Sequence, residues 1–368
     1  MTSFTVDVPD ADLDELRSRL AHARWPEPAT VPDWSQGVPL DWLRELCDYW
    51  ADGYDWRRLE QRLNALPQYR TEIDGVLVHY VHVPSENPDA VPLVLTHGWP
   101  GSIVEFLDVM PLLAASFHVV CPSLPGFGFS GKPTSPGWAP ARIARAWAAL
   151  MTDLGYERFG AQGGDWGSVV TTSLAEQFPD RVLGIHLNYA PVPSTKDDLT
   201  RFEVQSLTDL RDHLEWGSGY ALAQATRPQT LGYGLVDSPV GQCAWIAEKY
   251  WAWCDHDGDP LSALSRDQML DNISVYWHTR TGASSARIYW EDGFARPSGR
   301  RRPLTVLSVP AGVSVFRREI LRPSRRWLEP YYPDLRFYEQ VDHGGHFAAW
   351  EQPSAFVDQV VRAFAAMR

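Results

Sequence analysis

The stretch GAQGGDWGSVV, residues 160–170, joins an apolar run to a helical pattern through a glycine-rich turn. Gly163 and Gly167 lie two positions before and two positions after Asp165. A sharp strand–turn–helix elbow requires small residues there, because larger side chains would collide with the neighbouring strand and helix. Such an elbow holds a nucleophile at its tip, so Asp165 is the candidate nucleophile. The alternative is an aspartate that only caps the following helix, although a capping residue needs no flanking glycines.

Short apolar runs alternate with helical patterns on both sides of this elbow. Runs that are typical of strands cover residues 91–97, 117–123, 158–163, 182–188, 303–309 and 335–341, and a helix is predicted over 168–178. Strands that are apolar along their whole length and alternate with helices indicate a mostly parallel sheet with helices on both faces. The sequence therefore predicts an α/β fold.

The N-terminal part of the chain has a different pattern. One helical pattern covers residues 10–25, and a second, longer one covers residues 40–66. Alternating apolar residues around Asp74-Gly75 then predict a β-hairpin. We expect residues 1–70 to form a helical extension that is packed on the core.

The alternation of strands and helices lapses over residues 191–297, which are helical in pattern and rich in tryptophan. We interpret this region as an insertion that folds over the sheet as a cap. The α/β core would then consist of two parts, residues 71–190 and residues 298–368.

Composition limits the classes of partner and location. The chain has 368 residues and a formal net charge of −13, which disfavours nucleic acid or an acidic membrane surface as a partner. Its four cysteines form no CxxC pair, so neither a zinc site nor a disulfide framework is predicted. The N-terminal sequence lacks the apolar segment of a signal peptide, and no apolar run is long enough to span a bilayer. We expect a soluble, cytoplasmic protein without a membrane anchor.

The segment THGWPGS, residues 96–102, follows an apolar strand. A loop in this place commonly gives one backbone N–H to an oxyanion hole, and the residue after the nucleophile gives the second. The two donors would be the backbone N–H groups of Trp99 and Trp166. Their indoles are candidate walls of a substrate-binding pocket, although simple packing in the core would equally account for them.

The segment VDHGGHFAAWE, residues 341–351, follows the last predicted strand. A loop histidine at this point suits a general base, and His346, after two glycines, is a better candidate than His343. The base needs an acid to orient it, for which Glu319 is the candidate and Asp342 the rival. The order of nucleophile, acid and base along the chain, 165, 319 and 346, matches the order of an α/β hydrolase.

These motifs are similar to those of the microsomal-type epoxide hydrolases. The resemblance spans nearly the whole chain and includes FTVDVPDADLDELRSRLAHARWP, HGWPGSIVEF, PSLPGFGFSGKP, GGDWGS, LVDSPVGQCAWIAEKY and GGHFAAWEQP. It implies an α/β-hydrolase fold with a helical cap and an N-terminal helical extension. It also implies a triad of Asp165, Glu319 and His346.

Two cap tyrosines above the substrate also follow from the resemblance. One matches Tyr289 in ARIYWEDG, and the other matches Tyr220 in GSGYALAQATRPQTLGYGL, with Tyr233 as the alternative in the same segment. The reaction would convert an epoxide to a vicinal diol through an ester of the aspartate, with no metal or organic cofactor. The partners would be water and a small-molecule epoxide, apolar and in some cases aryl-bearing. The sequence leaves the oligomeric state open, and a homo-oligomer is one possibility.

Two other functions stay open at this point. A haloalkane dehalogenase also uses an elbow aspartate followed by tryptophan, but it releases a halide. A non-catalytic binding protein on the hydrolase fold would have no need of Asp165, Glu319 and His346, all of which are present. A serine esterase is excluded if Asp165 is the elbow residue.

Overall fold

The computed structural model describes residues 1–293 and 305–368, whose strands form one nine-stranded sheet. The strands are β1 (Thr2–Ser3), β2 (Gln68–Ile73), β3 (Val76–Val83), β4 (Val91–Thr96), β5 (Phe117–Pro122), β6 (Phe159–Gly163), β7 (Val182–Leu187), β8 (Ala311–Phe316) and β9 (Leu335–Val341). Their order across the sheet is β1-β2-β3-β5-β4-β6-β7-β8-β9. The pairs from β1 to β5 are antiparallel, and the pairs from β5 to β9 are parallel. The prediction of a mostly parallel sheet is confirmed.

Helices make up much of the remaining described chain. They are α1 (Asp10–Ala21), α2 (Leu40–Asp52), α3 (Trp56–Asn64), α4 (Met110–Leu113), α5 (Pro140–Asp153), α6 (Asp165–Gln177), α7 (Arg201–Asp212), α8 (Gly219–Thr226), α9 (Pro228–Asp237), α10 (Pro239–Trp253), α11 (Arg266–His278), α12 (Gly282–Asp292), α13 (Arg325–Leu328), α14 (Ala348–Glu351) and α15 (Pro353–Met367). Helix α6 packs on β4, β6 and β7, and α15 packs on β7, β8 and β9. Gly160 of β6 faces α15 and Gly163 faces α6, so the two helices lie on opposite faces of the sheet. None of the helices in the described residues is both long and apolar enough to cross a bilayer.

One predicted strand, residues 303–309, is wrong in position. Residues 303 and 304 lie outside the described part of the chain, and residues 305–309 form no strand. The strand is instead β8, which begins after Pro310 and pairs with β7 and β9. All residues of β8 are buried, whereas in 305–309 only Leu307 and Val309 are buried. Both runs are apolar, so the local pattern did not distinguish them.

The hairpin predicted around Asp74 and Gly75 is confirmed. Strands β2 and β3 pair with Ile73 opposite Val76, and the two turn residues have φ angles of 52° and 77°. Positive φ at both positions is what a tight two-residue hairpin turn needs, and Asp-Gly adopts it readily. The helical pattern over residues 40–66 is divided in the structure into α2 and α3.

Helices α2 and α3, and the turn between them, are hydrogen-bonded to the cap, a contact that the sequence analysis did not predict. Trp50 donates through Nε1 to Oγ of Ser274 at 2.9 Å, and the Tyr54 hydroxyl donates to Asp271 at 2.9 Å. The guanidinium of Arg58 pairs with the same buried carboxylate. The N-terminal helices are therefore anchored on α11, to which Asp271 and Ser274 belong.

The loops after β4, β6, β8 and β9 leave the carboxyl ends of parallel strands, so they meet at one edge of the sheet. These loops carry Trp99, Asp165, Glu319 and His346. Ligands of open α/β sheets bind at this edge. The fold therefore brings the candidate residues from four distant parts of the chain to one place.

Candidate active site

Asp165 lies at the tip of a strained turn between β6 and α6. Its φ of 47° is in the left-handed region, which residues other than glycine rarely adopt. A Cβ on Gly163 would lie 2.2 Å from the carbonyl oxygen of Gly167, and a Cβ on Gly167 would lie 1.9 Å from that of Thr96. A side chain at either position would therefore collide with the backbone, as the sequence predicts.

The Asp165 side chain does not cap α6, which begins without any side-chain cap. Its Oδ1 instead accepts a hydrogen bond of 2.8 Å from the backbone N–H of Trp99, in the loop after β4. Among the described residues, the backbone N–H of Trp166 makes no hydrogen bond to this carboxylate, although it belongs to the first turn of α6. The helix-cap interpretation of Asp165 is therefore wrong.

His346 lies between two carboxylates. Its Nδ1 is 2.7 Å from Oε1 of Glu319, and its Nε2 is 3.4 Å from Oδ2 of Asp165. Burial opposes a charge on the imidazole, but Glu319 and Asp165 outweigh burial and raise the pKa of His346 well above its ordinary value. The rival candidates Asp342 and His343 are both exposed to solvent.

The loop of His346 is fixed to the end of cap helix α10. The His346 N–H donates to the carbonyl oxygen of Trp253 at 2.9 Å. The Glu351 carboxyl group accepts the N–H groups of Gly345 and Phe347, which flank His346, and also that of Asp255. Burial raises the pKa of Glu351 to about 7, and the backbone hydrogen bonds from Asp255 and Phe347 oppose that shift. Glu351 thus links the histidine loop to the cap.

The loop of Trp99 is held by the next cap helix, α11. Asn272 donates through Nδ2 to the carbonyl oxygen of Pro100 at 2.6 Å, and the Tyr276 hydroxyl donates to that of Gly101 at 2.9 Å. All these groups are buried. Both loops that face Asp165 are therefore supported by the cap.

The two tyrosines named by resemblance contact the tryptophans beside Asp165. The ring of Tyr220 stacks on Trp99 with centroids 5.1 Å apart, and Tyr289 meets Trp166 edge to face at 4.8 Å. Burial, with Asp165 acting in the same direction, raises the pKa of each tyrosine well above its ordinary value. Tyr233, by contrast, is 70% exposed.

Glu105 is a buried acid of the site that the sequence motifs do not indicate. This residue belongs to the short 3₁₀ helix Ile103–Phe106, and its side chain lines a cavity of about 20 Å³ together with Asp165, His346 and Asn188. Burial raises the pKa of its carboxyl group to about 8. The residue lies within the motif HGWPGSIVEF, but a single acid in a short helix gives no local sign of burial.

The sheet, the aspartate elbow and the histidine after the last strand together define an α/β hydrolase. The family model described as "alpha/beta hydrolase fold" matches residues 91–353, and the model described as "Epoxide hydrolase N terminus" matches residues 1–106.

Similar proteins agree with both matches. A protein of Stigmatella aurantiaca whose name assigns it provisionally to the epoxide hydrolases is 51% identical, over 100% of this chain and 86% of its own. Epoxide hydrolase 1 of Sus scrofa is 34% identical over 97% of this chain and 87% of its own. The crystal structure of juvenile hormone epoxide hydrolase from the silkworm Bombyx mori superimposes with a TM-score of 0.93 and 30% identity, covering 100% of this chain and 94% of that one. The chain therefore belongs to the epoxide hydrolase family, and it is an enzyme that hydrolyses epoxides.

Proposed function

We propose that this enzyme opens an apolar epoxide through a covalent ester on Asp165 and releases a vicinal diol. The observation that carries the proposal is the surroundings of the Asp165 carboxylate. One of its oxygens accepts the N–H of Trp99, and the other faces Nε2 of His346. The choice of aspartate also fits, because a serine would form an ether with an epoxide, whereas a carboxylate forms an ester that water can cleave.

In the first step, an Asp165 oxygen attacks one ring carbon and the carbon–oxygen bond of the epoxide breaks. Tyr220 and Tyr289 donate hydrogen bonds to the departing oxygen, and one of them supplies its proton. A tyrosine hydroxyl is protonated at neutral pH even at its ordinary pKa, and the pKa of both residues is raised further, so each can donate before the reaction. Donors aimed at a developing alkoxide stabilise the transition state more than the ground state.

In the second step, His346 takes a proton from water, and the water oxygen attacks the ester carbonyl carbon. The backbone N–H groups of Trp99 and Trp166 receive the resulting oxyanion. Collapse of this intermediate restores the Asp165 carboxylate and releases the diol, whose new hydroxyl group keeps one proton of the water. The other proton, held by His346, returns to the tyrosine that gave up its proton in the first step. Ester formation removes the charge of Asp165, which raised the pKa of His346, so the imidazole becomes a free base when one is needed.

Aromatic rings around the triad support an apolar substrate, with aryl groups among its substituents. The rings that contact one another there belong to Trp99, Trp166, Tyr220, Trp253 and Tyr289. Flat apolar walls with two hydroxyl donors suit an epoxide that carries an aryl or alkyl group.

The test is a panel of aryl and alkyl epoxides with matched haloalkanes, assayed for diol and for halide. We expect diol from the epoxides and no halide from the haloalkanes; the opposite result would mean a dehalogenase. A single turnover in ¹⁸O-water with excess enzyme then tests the ester. The label should enter Asp165 and be absent from the first diol released, because the diol takes its new oxygen from the aspartate. Label in that first diol would contradict the covalent route.

A further inference from the structure

Glu105 is a buried carboxyl group beside the triad that the mechanism above does not use. Its Oε1 accepts the backbone N–H of Ser102 at 3.2 Å. A Cβ on Gly101 would lie 1.5 Å from this oxygen, so the carboxyl group occupies the space that a side chain at position 101 would take. Glu105 is therefore held tightly against the loop that carries Trp99.

The cavity beside Glu105 has the size and chemistry of a site for one water molecule. Its volume is about 20 Å³, which is enough for one water and too small for an organic epoxide. Glu105, Asp165, His346 and Asn188 line it, and a buried water needs two to four polar partners of this kind. The cavity also reaches the aspartate whose ester must be cleaved.

We propose that this cavity holds the water that cleaves the Asp165 ester, and that Glu105 is a water-positioning residue that acts beside His346. The inference rests on the covalent mechanism proposed above. His346 takes one proton of the water, and the Glu105 carboxylate accepts the other in a hydrogen bond. The water oxygen is thereby turned towards the carbonyl carbon of the ester.

The charges in the site favour this role at the second step. Burial raises the pKa of Glu105 to about 8, His346 opposes this shift, and the Asp165 carboxylate adds to it. When Asp165 is an ester and His346 takes the proton of the water, the negative charge that raises the pKa of Glu105 is gone and the positive charge that lowers it is present, so Glu105 ionises more readily. An ionised Glu105 then also stabilises the imidazolium that His346 becomes when it takes the proton.

The alternative is that Glu105 only caps the 3₁₀ helix through its bond to Ser102. The structure offers a matched control for this alternative, because Ser102 caps the same helix by accepting the N–H of Val104 at 3.2 Å. Ser102 does not line the cavity. Its replacement loosens the same helix without changing the water site.

The experiment compares Glu105→Gln with the wild type in both half-reactions, by rapid quench and mass measurement of the ester at Asp165. Glutamine keeps an acceptor for the Ser102 N–H but carries no charge. We expect ester hydrolysis and kcat to fall about 10- to 100-fold, as for loss of one hydrogen bond to a charged group. Alkylation and kcat/KM should change by less than about threefold, so KM falls with kcat and the ester accumulates.

Ser102→Ala should leave both half-reactions close to the wild type. Ester hydrolysis at the wild-type rate in Glu105→Gln, or the same slowing in Ser102→Ala, would overturn the inference. If Glu105→Gln does not fold, Glu105→Asp withdraws the carboxylate from the cavity by one methylene and is measured in the same way, and a wild-type hydrolysis rate again overturns it. A wild-type enzyme that forms no ester with any epoxide of the panel would instead refute the proposed function, so the two failures are distinguishable.

Discussion

Nδ1 of His346 lies 2.7 Å from Oε1 of Glu319, and the two residues come from loops that leave adjacent strands. Strands β8 and β9 are parallel, and their last residues, Phe316 and Val341, lie opposite each other. The register of the sheet therefore places Glu319 next to His346. With Nδ1 committed to Glu319, Nε2 is the ring nitrogen that faces Asp165.

Loss of the nucleophile should abolish turnover without unfolding the protein. We expect Asp165→Asn to lower kcat by about 10⁴-fold or more, because no ester can form. Asparagine has nearly the same shape and can still accept the Trp99 N–H, so the melting temperature should stay close to that of the wild type. Steady-state assays on freshly purified protein, with mass analysis for conversion of the asparagine back to aspartate, provide the measurement. Near-normal rates without such conversion would rule out Asp165 as the nucleophile.

Loss of the base should separate the two steps. In His346→Gln the first step should proceed while the ester persists, since His346 acts on the water that cleaves it. Mass spectrometry should then find an adduct of enzyme plus substrate at Asp165. His343→Gln is the matched control: this exposed residue lies three positions away, and its variant should behave like the wild type. Normal disappearance of epoxide in His346→Gln with no adduct would remove His346 from the mechanism.

Removal of either cap tyrosine should slow the first step. Tyr220→Phe or Tyr289→Phe each removes one donor to the developing alkoxide, and loss of one such donor costs about 10²- to 10³-fold. The double variant should nearly abolish alkylation, whereas cleavage of the ester should change little. Stopped-flow tryptophan fluorescence can follow both steps, because Trp99 and Trp166 contact these tyrosines. The control is Tyr233→Phe; if it slows alkylation and Tyr220→Phe does not, the assignment within that segment is wrong.

Asp271 provides a pH-dependent test of the contact between the N-terminal helices and the cap. Burial raises the pKa of this carboxyl to about 6, although Arg58 acts in the opposite direction. The folded-state pKa is thus above the ordinary value of an aspartate. The carboxyl therefore contributes stability that is complete below about pH 4 and is lost as the pH rises through about 6.

Asp271→Asn removes this titration. We expect a smaller change of melting temperature between about pH 4 and about pH 7 than in the wild type, whose melting temperature should fall as the pH rises through this range. Thermal unfolding of both proteins across this range provides the measurement. If the melting temperatures of both proteins change equally with pH, Asp271 does not titrate in this way.

Removing residues 1–66 should leave a protein that aggregates. The helices of this segment bury apolar residues such as Trp50, Leu59 and Leu63, so their loss exposes the surface that they cover. It also leaves Asp271 without its partners Tyr54 and Arg58. Size-exclusion chromatography and diol formation measure the result. A monodisperse, fully active truncated protein would show that the segment is independent of the rest.

The elbow was predictable from sequence because the small residues that it requires lie close to Asp165 along the chain. Gly163 and Gly167 are needed within a few residues of Asp165, and the structure shows the atoms that a side chain would strike. The choice between Glu319 and Asp342 was not local. It depends on which loop lies next to His346, and that follows from the pairing of β8 with β9, which are distant in sequence.

Two features could not be predicted from the sequence for a related reason. Residues 303–309 and 311–316 are both short apolar runs, and only the neighbouring strands decide which of them enters the sheet. Glu105 is an acid in a short helix, which in most proteins is solvated. Its burial becomes visible only when the glycine at 101 is seen to leave room for its carboxyl group.

The attachment of α10 and α11 to the loops of His346 and Trp99 has a consequence for engineering new specificity. Trp253 and Glu351 tie α10 to His346, and Asn272 and Tyr276 tie α11 to the loop of Trp99. A graft that replaces the whole cap would therefore exchange the supports of His346 and of the Trp99 loop along with the cap residues Tyr220 and Tyr289. A graft limited to α8 and α9 that keeps Tyr220 changes the surroundings of this residue and leaves those supports in their native scaffold.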